Sequence, residues 1–342
     1  MPPTVSVLLP IYNAAETLSA ALDSTLSQAG AGFEVVAVDD GSVDGTSKIL
    51  AEYAVRDPRL RCLRIAHSGL VAALNFGLAR CRGEFVARMD SDDIMLPGRL
   101  SKQAAYLQKH PGLAGVACRV RREILPGGGI PPELTEGARR YLDWNNSLTT
   151  PEAIRREIFI ESPLVHPSLM LRRTVLVENG GWREFDGPED YELWLRLIVG
   201  QGLKLGKLRS VLHLWRDRAD SLTRTDERYR QAAFVATKVR YLAEYLLPDF
   251  PGFVVWGAGP VGKELMRAFR RLGKVPAAIV EVHPRRIGES IAGAIVVGLD
   301  EVERFRDYLH LGAVGQPGAR ERIRQQAAQA GLVEGENFFC CA

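Results

Sequence analysis

Two hydrophobic periods alternate along the first hundred residues. Short apolar runs, typical of buried strands, are separated by segments in which apolar side chains recur every three or four positions, as on one face of a helix. The strands are predicted at residues 5–9, 33–38, 60–65 and 84–89, and the helices at 17–28, after Asp44, at 69–80 and at 97–109. This alternation favours a parallel sheet with crossover helices.

The pattern becomes irregular between residues 121 and 163, where prolines and glycines interrupt it. Long irregular insertions in compact enzymes are often substrate loops, and we expect that role here. Periodicity returns in residues 164–205, which include a helix predicted at 188–199, and in a helix predicted at 229–246. Residues 248–252, rich in proline, are predicted to be a linker between domains at 1–247 and 253–342.

Beyond the predicted linker the strand and helix periods start again. Strands are predicted at residues 253–256, 277–282, 294–297 and 311–314, and helices at 263–272, 299–308 and 319–330. The turn Gly257-Ala258-Gly259-Pro260-Val261-Gly262 follows the first of these strands, and Glu281 lies at the end of the second. This arrangement fits a dinucleotide fingerprint in a small Rossmann-like α/β domain. Nucleotide binding and a docking or homo-oligomer role both remain open for this domain.

Carboxylates follow two of the predicted strands in the first domain. Asp39 and Asp40 end the second strand, and the run Asp90-Ser91-Asp92-Asp93 follows the fourth. Ligands of open α/β sheets bind beyond the carboxyl ends of the strands, so we expect these groups to converge with residues 10–13 and 67–69. Crowded carboxylates repel one another unless a cation or hydrogen-bond donors compensate. The sequence therefore predicts a metal and nucleotide site.

Composition narrows the class of protein. The 342 residues are 46% hydrophobic and 25% charged with a net charge of +3, as in an ordinary globular protein with no signal for a nucleic-acid partner. Five scattered cysteines without metal-like spacing indicate a reducing compartment. No run approaches the ~18 apolar residues of a membrane span, and the first ten residues lack a secretory pattern. We expect a cytoplasmic protein, with peripheral contact at the inner face of the membrane left open.

Several segments, taken in order, resemble the family 2 glycosyltransferases of the GT-A fold. They are residues 5–13 with Glu16, 38–46, 73–77, 83–85, 90–93, 165–168 and 189–194. The resemblance covers roughly residues 4–225. It implies a mostly parallel sheet flanked by helices and a hexosyltransferase-type enzyme that takes its sugar from a nucleoside-diphosphate sugar, with a UDP-sugar favoured. The implied acceptor is a hydroxyl group of a glycan or a lipid-linked molecule, as in cell-surface polysaccharide synthesis.

The resemblance also implies roles for the carboxylates. Asp92 would be the direct ligand of Mg²⁺ or Mn²⁺, with Asp90 oriented toward the ribose or the water shell of the metal. Hard oxygen ligands suit both ions, and a divalent cation neutralises a leaving diphosphate. The plain alternative is a solvated acidic turn that caps the following helix.

Other residues would contact the nucleoside and its phosphates. Asp39 and Asp40 match the base and ribose contacts of the family, and Pro10, Tyr12 and Glu16 would line the base. Core packing remains an alternative for Tyr12, and helix capping is the favoured interpretation of Asp44.

Many family members carry a late histidine that completes the metal shell, but the corresponding run here is Trp215-Arg216-Asp217-Arg218. Arg216 or Arg218 would instead hold the diphosphate, since a guanidinium fork matches its oxygens.

An inverting enzyme needs one general base for the acceptor hydroxyl. Asp190 matches that position in the family, with Glu189 as the fallback, in a helix predicted to have Pro188 at its first position. A carboxylate in the first turn is also favoured by the helix dipole alone. His166 matches a place near the acceptor pocket, and a satisfied loop histidine is an equal alternative.

Three rival classes remain open at this stage. A sugar nucleotidyltransferase would need a glycine-rich basic loop after the first strand, and residues 10–16 contain neither glycine nor a basic residue. A pyridine-nucleotide oxidoreductase would place the activity in the C-terminal domain. A non-catalytic nucleotide-sugar binding protein would bind the donor without turnover.

Overall fold

The computed structural model describes residues 3–125, 132–218, 221–316 and 318–342. The chain divides into two compact units. The first unit comprises Met1–Pro151, Leu164–Phe185 and Leu203–Thr225, and the second comprises Glu152–Pro163, Asp186–Gly202 and Asp226–Ala342. The predicted linker at 248–252 does not coincide with this division, because three segments that precede it group with the C-terminal sheet. The domain boundaries at 247 and 253 stay a prediction.

The strands form two sheets within the described residues. In chain order they are β1 (Val5–Ile11), β2 (Phe33–Asp39), β3 (Leu60–Arg64), β4 (Phe85–Arg88), β5 (Ile94–Met95), β6 (Gly115–Ile124), β7 (Met170–Arg172), β8 (Leu205–Asp217), β9 (Phe253–Trp256), β10 (Ala278–Val280), β11 (Ser290–Ile291), β12 (Ala294–Val297), β13 (Leu309–Gly312) and β14 (Phe338–Cys340).

The α-helices are likewise numbered along the described chain. They are α1 (Leu18–Leu26), α2 (Thr46–Arg56), α3 (Leu70–Leu78), α4 (Arg99–Lys109), α5 (Pro132–Ser147), α6 (Pro151–Glu157), α7 (Arg173–Glu178), α8 (Glu189–Leu195), α9 (Leu222–Thr225), α10 (Gln231–Tyr241), α11 (Pro260–Arg271) and α12 (Ala319–Gln329). Short 3₁₀ or π turns lie at His166–Ser168, Arg196–Gly200, Glu227–Tyr229, Leu242–Leu246, Leu247–Asp249, Pro284–Arg286 and Leu299–Phe305. Among the described residues, no helix combines the length and the apolar character needed to cross a bilayer.

The sheet of the first unit has the strand order β3-β2-β1-β4-β7-β6-β8-β5. Strands β1 to β4 are mutually parallel where they pair, whereas β7 runs antiparallel to both of its neighbours. Strands β1 and β2 are buried at every position, because a parallel sheet is covered by helices on both faces. The mostly parallel sheet and its flanking helices agree with the predicted fold class.

Two sequence predictions for residues 97–163 were wrong. The region 121–163, predicted to be irregular, includes the end of β6 and the helices α5 and α6; its glycine run at 127–129 lies outside the described residues. Helix α5 is mostly polar, and its few buried side chains, such as Leu142 and Asn145, are too sparse for a clear period. Helix α4 begins at Arg99 rather than Pro97, because Gly98 occupies the N-cap with φ +77°.

The sheet of the second unit has the order β11-β12-β10-β9-β13-β14. Its five parallel strands, counted along the chain, stand in the order 3-2-1-4-5, which is that of doubly wound nucleotide-binding sheets. The predicted strands at 253–256 and 294–297 are present, and β14 was not predicted. The segment Leu299–Phe305 is a 3₁₀ helix rather than the predicted α-helix. The Rossmann-like assignment of this unit stays a prediction.

Candidate active site

The strand ends of the first sheet bring the predicted acidic groups to one side. Strand β1 lies between β2 and β4, parallel to both, with Leu8 opposite Val36 on one side and Arg88 on the other. Asp40 and the run Asp90–Asp93 therefore follow neighbouring strands that point the same way. The strands thus end on the same edge of the sheet, and the convergence of these side chains on one crevice stays a prediction.

Three carboxylates form a cluster after β4. One oxygen from each of Asp90, Asp92 and Asp93 lies within 4.8 Å of the others. Asp90 forms an ion pair with Arg88, but in the described part of the chain no side chain pairs with the Asp92 carboxylate. Burial raises the pKa of Asp92 to about 7, and the charges of Asp93 and Asp90 add to this shift. Burial also raises the pKa of Asp93 well above its usual value, so negative charge on this cluster is costly.

Asp93 is held by the protein on both oxygens. Its Oδ1 accepts a hydrogen bond of 2.8 Å from the backbone N–H of Arg216, and its Oδ2 lies 2.7 Å from His213 Nε2. The other ring nitrogen, Nδ1, lies 3.0 Å from a guanidinium nitrogen of Arg99. Because arginine only donates, Nδ1 must accept, so Nε2 carries the proton and donates to Asp93. His213 is therefore neutral, and burial lowers its pKa well below the usual value.

This buried network was missed by the sequence reasoning. Arg99 donates further hydrogen bonds to Gln103, at 3.0 Å, and to the Arg88 carbonyl, at 2.9 Å. The network fixes Asp93 and the neighbouring Arg88, so the free side chain of the cluster is Asp92. The only sequence signal is a polar histidine between Leu212 and Leu214 in an otherwise apolar run.

Arg216 and Arg218, both predicted to hold the diphosphate, have different contacts in the structure. Arg216 Nε donates to the backbone carbonyl of Asp92, and its NH2 group donates to the Thr17 carbonyl at 3.4 Å. Its guanidinium is thus already used to position the cluster. The charge of Arg218 lowers the pKa of Asp92, against the effect of burial. A contact of either arginine with a diphosphate stays a prediction.

Asp39 is buried and fully hydrogen-bonded within the protein. Its Oδ1 accepts from the backbone N–H of Ser42 at 2.8 Å. Its Oδ2 accepts from Ser47 Oγ at 2.7 Å and pairs with Arg64 at 2.8 Å. In this structure Asp39 therefore stabilises the loop between β2 and α2, and its predicted contact with the nucleoside is untested.

Asp40 holds the loop that precedes α3. Its carboxylate accepts from the backbone N–H groups of Ser68 and Gly69, at 2.8 and 2.9 Å, and lies 2.9 Å from His67 Nδ1. A Cβ on Gly41, which has φ +74°, would lie 2.7 Å from the backbone nitrogen of His67. The corner after β2 therefore requires glycine.

An exposed pair of rings lies beside this corner. The rings of Tyr12 and His67 stack with centroids 4.1 Å apart and planes 19° apart. Tyr12 is 47% exposed, so it lies outside the core. Glu16 is also exposed and Pro10 is buried within β1. The paired rings form a flat surface of the kind on which a base can stack.

The Asp44 carboxylate lies just before α2 but not at its N-cap, which is Gly45 and has no side-chain capping hydrogen bond. Asp44 accepts from the backbone N–H of Thr46, the first residue of α2, at 3.0 Å. Its second oxygen accepts from the backbone N–H of Ala15 at 3.1 Å. These two hydrogen bonds fix Asp44 in the turn that leads into α2.

The predicted base and its fallback lie in the second unit, at the start of α8. Pro188 is the N-cap of this helix rather than its first residue. Glu189 is buried and accepts a hydrogen bond of 2.5 Å from the Tyr229 hydroxyl. Asp190 is partly exposed, and its Oδ1 accepts from the backbone N–H of Tyr191 at 2.6 Å. Of the two carboxylates, Asp190 is the more accessible, and its catalytic role stays a prediction.

His166 is a satisfied histidine of the first unit. It is 7% exposed, and its Nε2 accepts a hydrogen bond of 3.0 Å from the indole N–H of Trp182. The geometry supports the structural interpretation of this residue over a place in an acceptor pocket.

Comparisons with known proteins agree with this architecture. The sequence profile of "Glycosyl transferase family 2" matches residues 6–180, which is just over half of the 342 residues. EpsE of Bacillus subtilis (strain 168) is 29% identical over 304 residues, which cover 86% of this chain and 98% of EpsE. The amylovoran biosynthesis glycosyltransferase AmsE of Erwinia amylovora is 32% identical over 210 residues, which cover 60% of this chain and 74% of AmsE.

A solved structure shares the fold. The crystal structure of S. aureus TarS 1–349 in complex with UDP-GlcNAc superposes with a TM-score of 0.56 at 21% identity, covering 78% of this chain and 72% of that chain. The predicted GT-A fold and enzyme class are confirmed. The chain belongs to glycosyl transferase family 2 and is a glycosyltransferase.

Proposed function

We propose that this glycosyltransferase depends on Mg²⁺ or Mn²⁺ bound at the cluster of Asp90, Asp92 and Asp93. The observation that carries the proposal is the grouping of these three carboxylates, in which Asp92 has no side-chain partner among the described residues and its pKa is raised to about 7. A buried acid with two like charges beside it is costly unless a cation neutralises it. Three hard oxygen donors within 4.8 Å of one another fit a divalent ion.

The three carboxylates of the cluster would have different roles. Asp92 would bind the cation directly, while the ion pair with Arg88 leaves Asp90 to the water shell or the ribose. Asp93, held by His213 and Arg216, would position Asp92 through the backbone they share. When bound, the cation would neutralise the diphosphate that leaves as the sugar is transferred.

The donor and acceptor follow from the family and from the site. We propose a nucleoside-diphosphate sugar, with a UDP-sugar favoured, whose base stacks on the Tyr12 and His67 rings and whose ribose lies near Asp39 and Asp40. The fold neighbour TarS was solved with UDP-GlcNAc, and the relative AmsE is named for amylovoran biosynthesis. We therefore propose a hydroxyl acceptor in surface polysaccharide synthesis, and transfer with inversion in which Asp190 takes the proton of the acceptor.

The test uses turnover of the donor by water, so that no acceptor needs to be known. Hydrolysis of UDP-sugars should require Mg²⁺ or Mn²⁺, stop in EDTA, and fall by about 10³-fold in Asp92→Asn, as expected for the loss of several kcal/mol of stabilisation. The matched control is Glu52→Gln, which removes an exposed carboxylate from α2 in the same unit. Metal-independent turnover, or full activity in a folded Asp92→Asn, would contradict the proposal. The anomeric configuration of the released sugar, observed by NMR, decides between inversion and retention.

A further inference from the structure

A second pocket lies within the second unit, beside the glycine-rich turn after β9. It has a volume of about 560 Å³, within the range of about 300–1,000 Å³ that small-molecule sites occupy. One wall is helix α11 and the turn that precedes it, and the opposite wall is α10. The residues that define these walls are Gly259, Lys263, Arg267 and Arg271 on one side and Ala232 and Val235 on the other.

The pocket is strongly basic. Lys263, Arg267 and Arg271 are spaced by four residues and so lie along one face of α11 over about 12 Å. Among the described residues none of the three has an ion-pair partner, and Glu264 supplies a single negative charge to the same pocket. Cations four residues apart on a helix repel one another. An anionic ligand would remove that cost.

The turn leaves room for such a ligand at its middle glycine. Gly257 has φ +98°, and a Cβ on Gly262 would lie 2.0 Å from the Gly257 carbonyl oxygen, so both positions require glycine to close the turn onto the helix. A Cβ on Gly259 would meet nothing within 4 Å. Gly259 is the N-cap of α11, and a phosphate is favoured at the N-terminus of a helix.

The rim of the turn is already fixed by the protein. Arg286 lies 3.5 Å from the Glu281 carboxylate and donates to the Ala258 carbonyl at 3.4 Å. Glu281 in turn accepts from the Ala258 N–H at 3.4 Å. The three exposed cations of α11 therefore outnumber the one remaining carboxylate of the pocket, that of Glu264.

We propose that this pocket binds a nucleoside diphosphate. The phosphates would occupy the space over Gly259 and contact Lys263 and Arg267, and the nucleoside would lie against the apolar side chains of Ala232 and Val235. The spread of the cations exceeds what a single phosphate can contact, which favours a diphosphate. This site needs no metal ion and does not depend on the proposed function of the acidic cluster.

The experiment is a calorimetric titration of the full chain with ADP in EDTA, a condition that removes divalent metal from the acidic cluster. Wild type should bind ADP saturably, and Lys263→Gln/Arg267→Gln should bind at least roughly tenfold more weakly, because two charge-assisted contacts are lost. Arg322→Gln is the matched control, since it removes an exposed arginine from α12 of the same unit. Asp92→Asn should bind ADP like wild type, so failure of the metal proposal would leave this result unchanged.

Any one of four results would overturn the inference. The first is the absence of saturable ADP binding to wild type, and the second is equal ADP binding by the double variant, with its fold verified by circular dichroism. The third is inorganic phosphate binding as tightly as ADP, which would remove the nucleoside from the site. The fourth is binding of wild type to vesicles of anionic phospholipid that ADP does not compete with, which would assign the cations to a membrane surface instead.

Discussion

The two sheets present opposite charges at the carboxyl ends of their parallel strands. After β4 the first sheet carries Asp90, Asp92 and Asp93, and after β9 the second carries a glycine turn and the basic face of α11. The strand ends supply the position in both cases, and the side chains decide the sign of the charge. The comparison teaches that the same topological place can be adapted to a cation or to an anion.

Both places also show the same division between compensated and uncompensated groups. In the acidic cluster Arg88, His213 and Arg216 engage two of the three carboxylates, which leaves Asp92. In the basic pocket the Glu281 carboxylate engages Arg286 and leaves the α11 cations. Protein groups thus fix the frame of each place, and the remaining charge is the one that the proposed ligand would neutralise.

The largest expected effect tests whether the carboxylates that act in catalysis all lie in the first unit. Asp190, in the second unit, should act as the general base, so Asp190→Asn should lower kcat for glycosyl transfer by about 10²- to 10⁴-fold with little change in the KM for the donor. Steady-state kinetics with an identified acceptor measures both values.

Glu189→Gln is the matched comparison for this prediction. Its side chain can still accept from the Tyr229 hydroxyl, so the fold should persist and kcat should fall by about tenfold or less. A larger loss in Glu189→Gln than in Asp190→Asn would transfer the role of base to Glu189.

A smaller effect, on the free energy of unfolding, would sharpen the comparison at the acidic cluster. In the folded protein the pKa of Asp92 is about 7, whereas its ordinary value is 3.8. At a pH between these two values the Asp92 carboxyl group is ionised in the unfolded chain but keeps its proton in the folded protein. Stability therefore falls as the pH rises through this window, and the cost is complete above pH 7. In EDTA at pH 8, Asp92→Asn should be more stable than wild type by roughly 1–2 kcal/mol, discounted for partial exposure.

Denaturant unfolding at pH 5 and pH 8 measures this difference, which should shrink toward the lower pH. Saturating Mn²⁺ should stabilise wild type and not the variant. A variant that is less stable than wild type at pH 8 without metal would show that the cluster is satisfied within the protein.

The smallest effect concerns the basic face of α11. Arg267→Gln removes repulsion with Lys263 and Arg271, so without ligand it should raise the free energy of unfolding by a few tenths of a kcal/mol at low salt. The gain in stability should vanish at about 1 M salt, because the Debye length is then only about 3 Å and the repulsion between the cations is screened. A loss of stability measured by the same unfolding method would indicate that Arg267 has an attractive partner.

The sequence predicted much of the fold because the local periods were strong. The strands near residues 5, 33, 60 and 85 and the glycine turn at 257–262 follow from apolar runs bounded by polar or turn residues. The acidic run at Asp90–Asp93 was recognised as a candidate site because crowded carboxylates after a parallel strand repel one another unless a cation or hydrogen-bond donors compensate.

The remainder depended on contacts between distant parts of the chain. His213 and Asp93 are 120 positions apart, and only the pairing of β5 with β8 brings their segments together. Helix α5 lacks a broad apolar face, so its pattern did not separate it from a loop. Such features need the tertiary structure, because no local spacing encodes them.

The corner at Gly41 has a consequence for redesign of the enzyme. A single methyl group there would reach the backbone of the segment that carries His67, so this position is constrained by volume and tolerates no diversification. The neighbouring ring of Tyr12 is 47% exposed and has no such constraint. Libraries that test the proposed role of Tyr12 in nucleotide preference should therefore randomise Tyr12 and keep Gly41 constant.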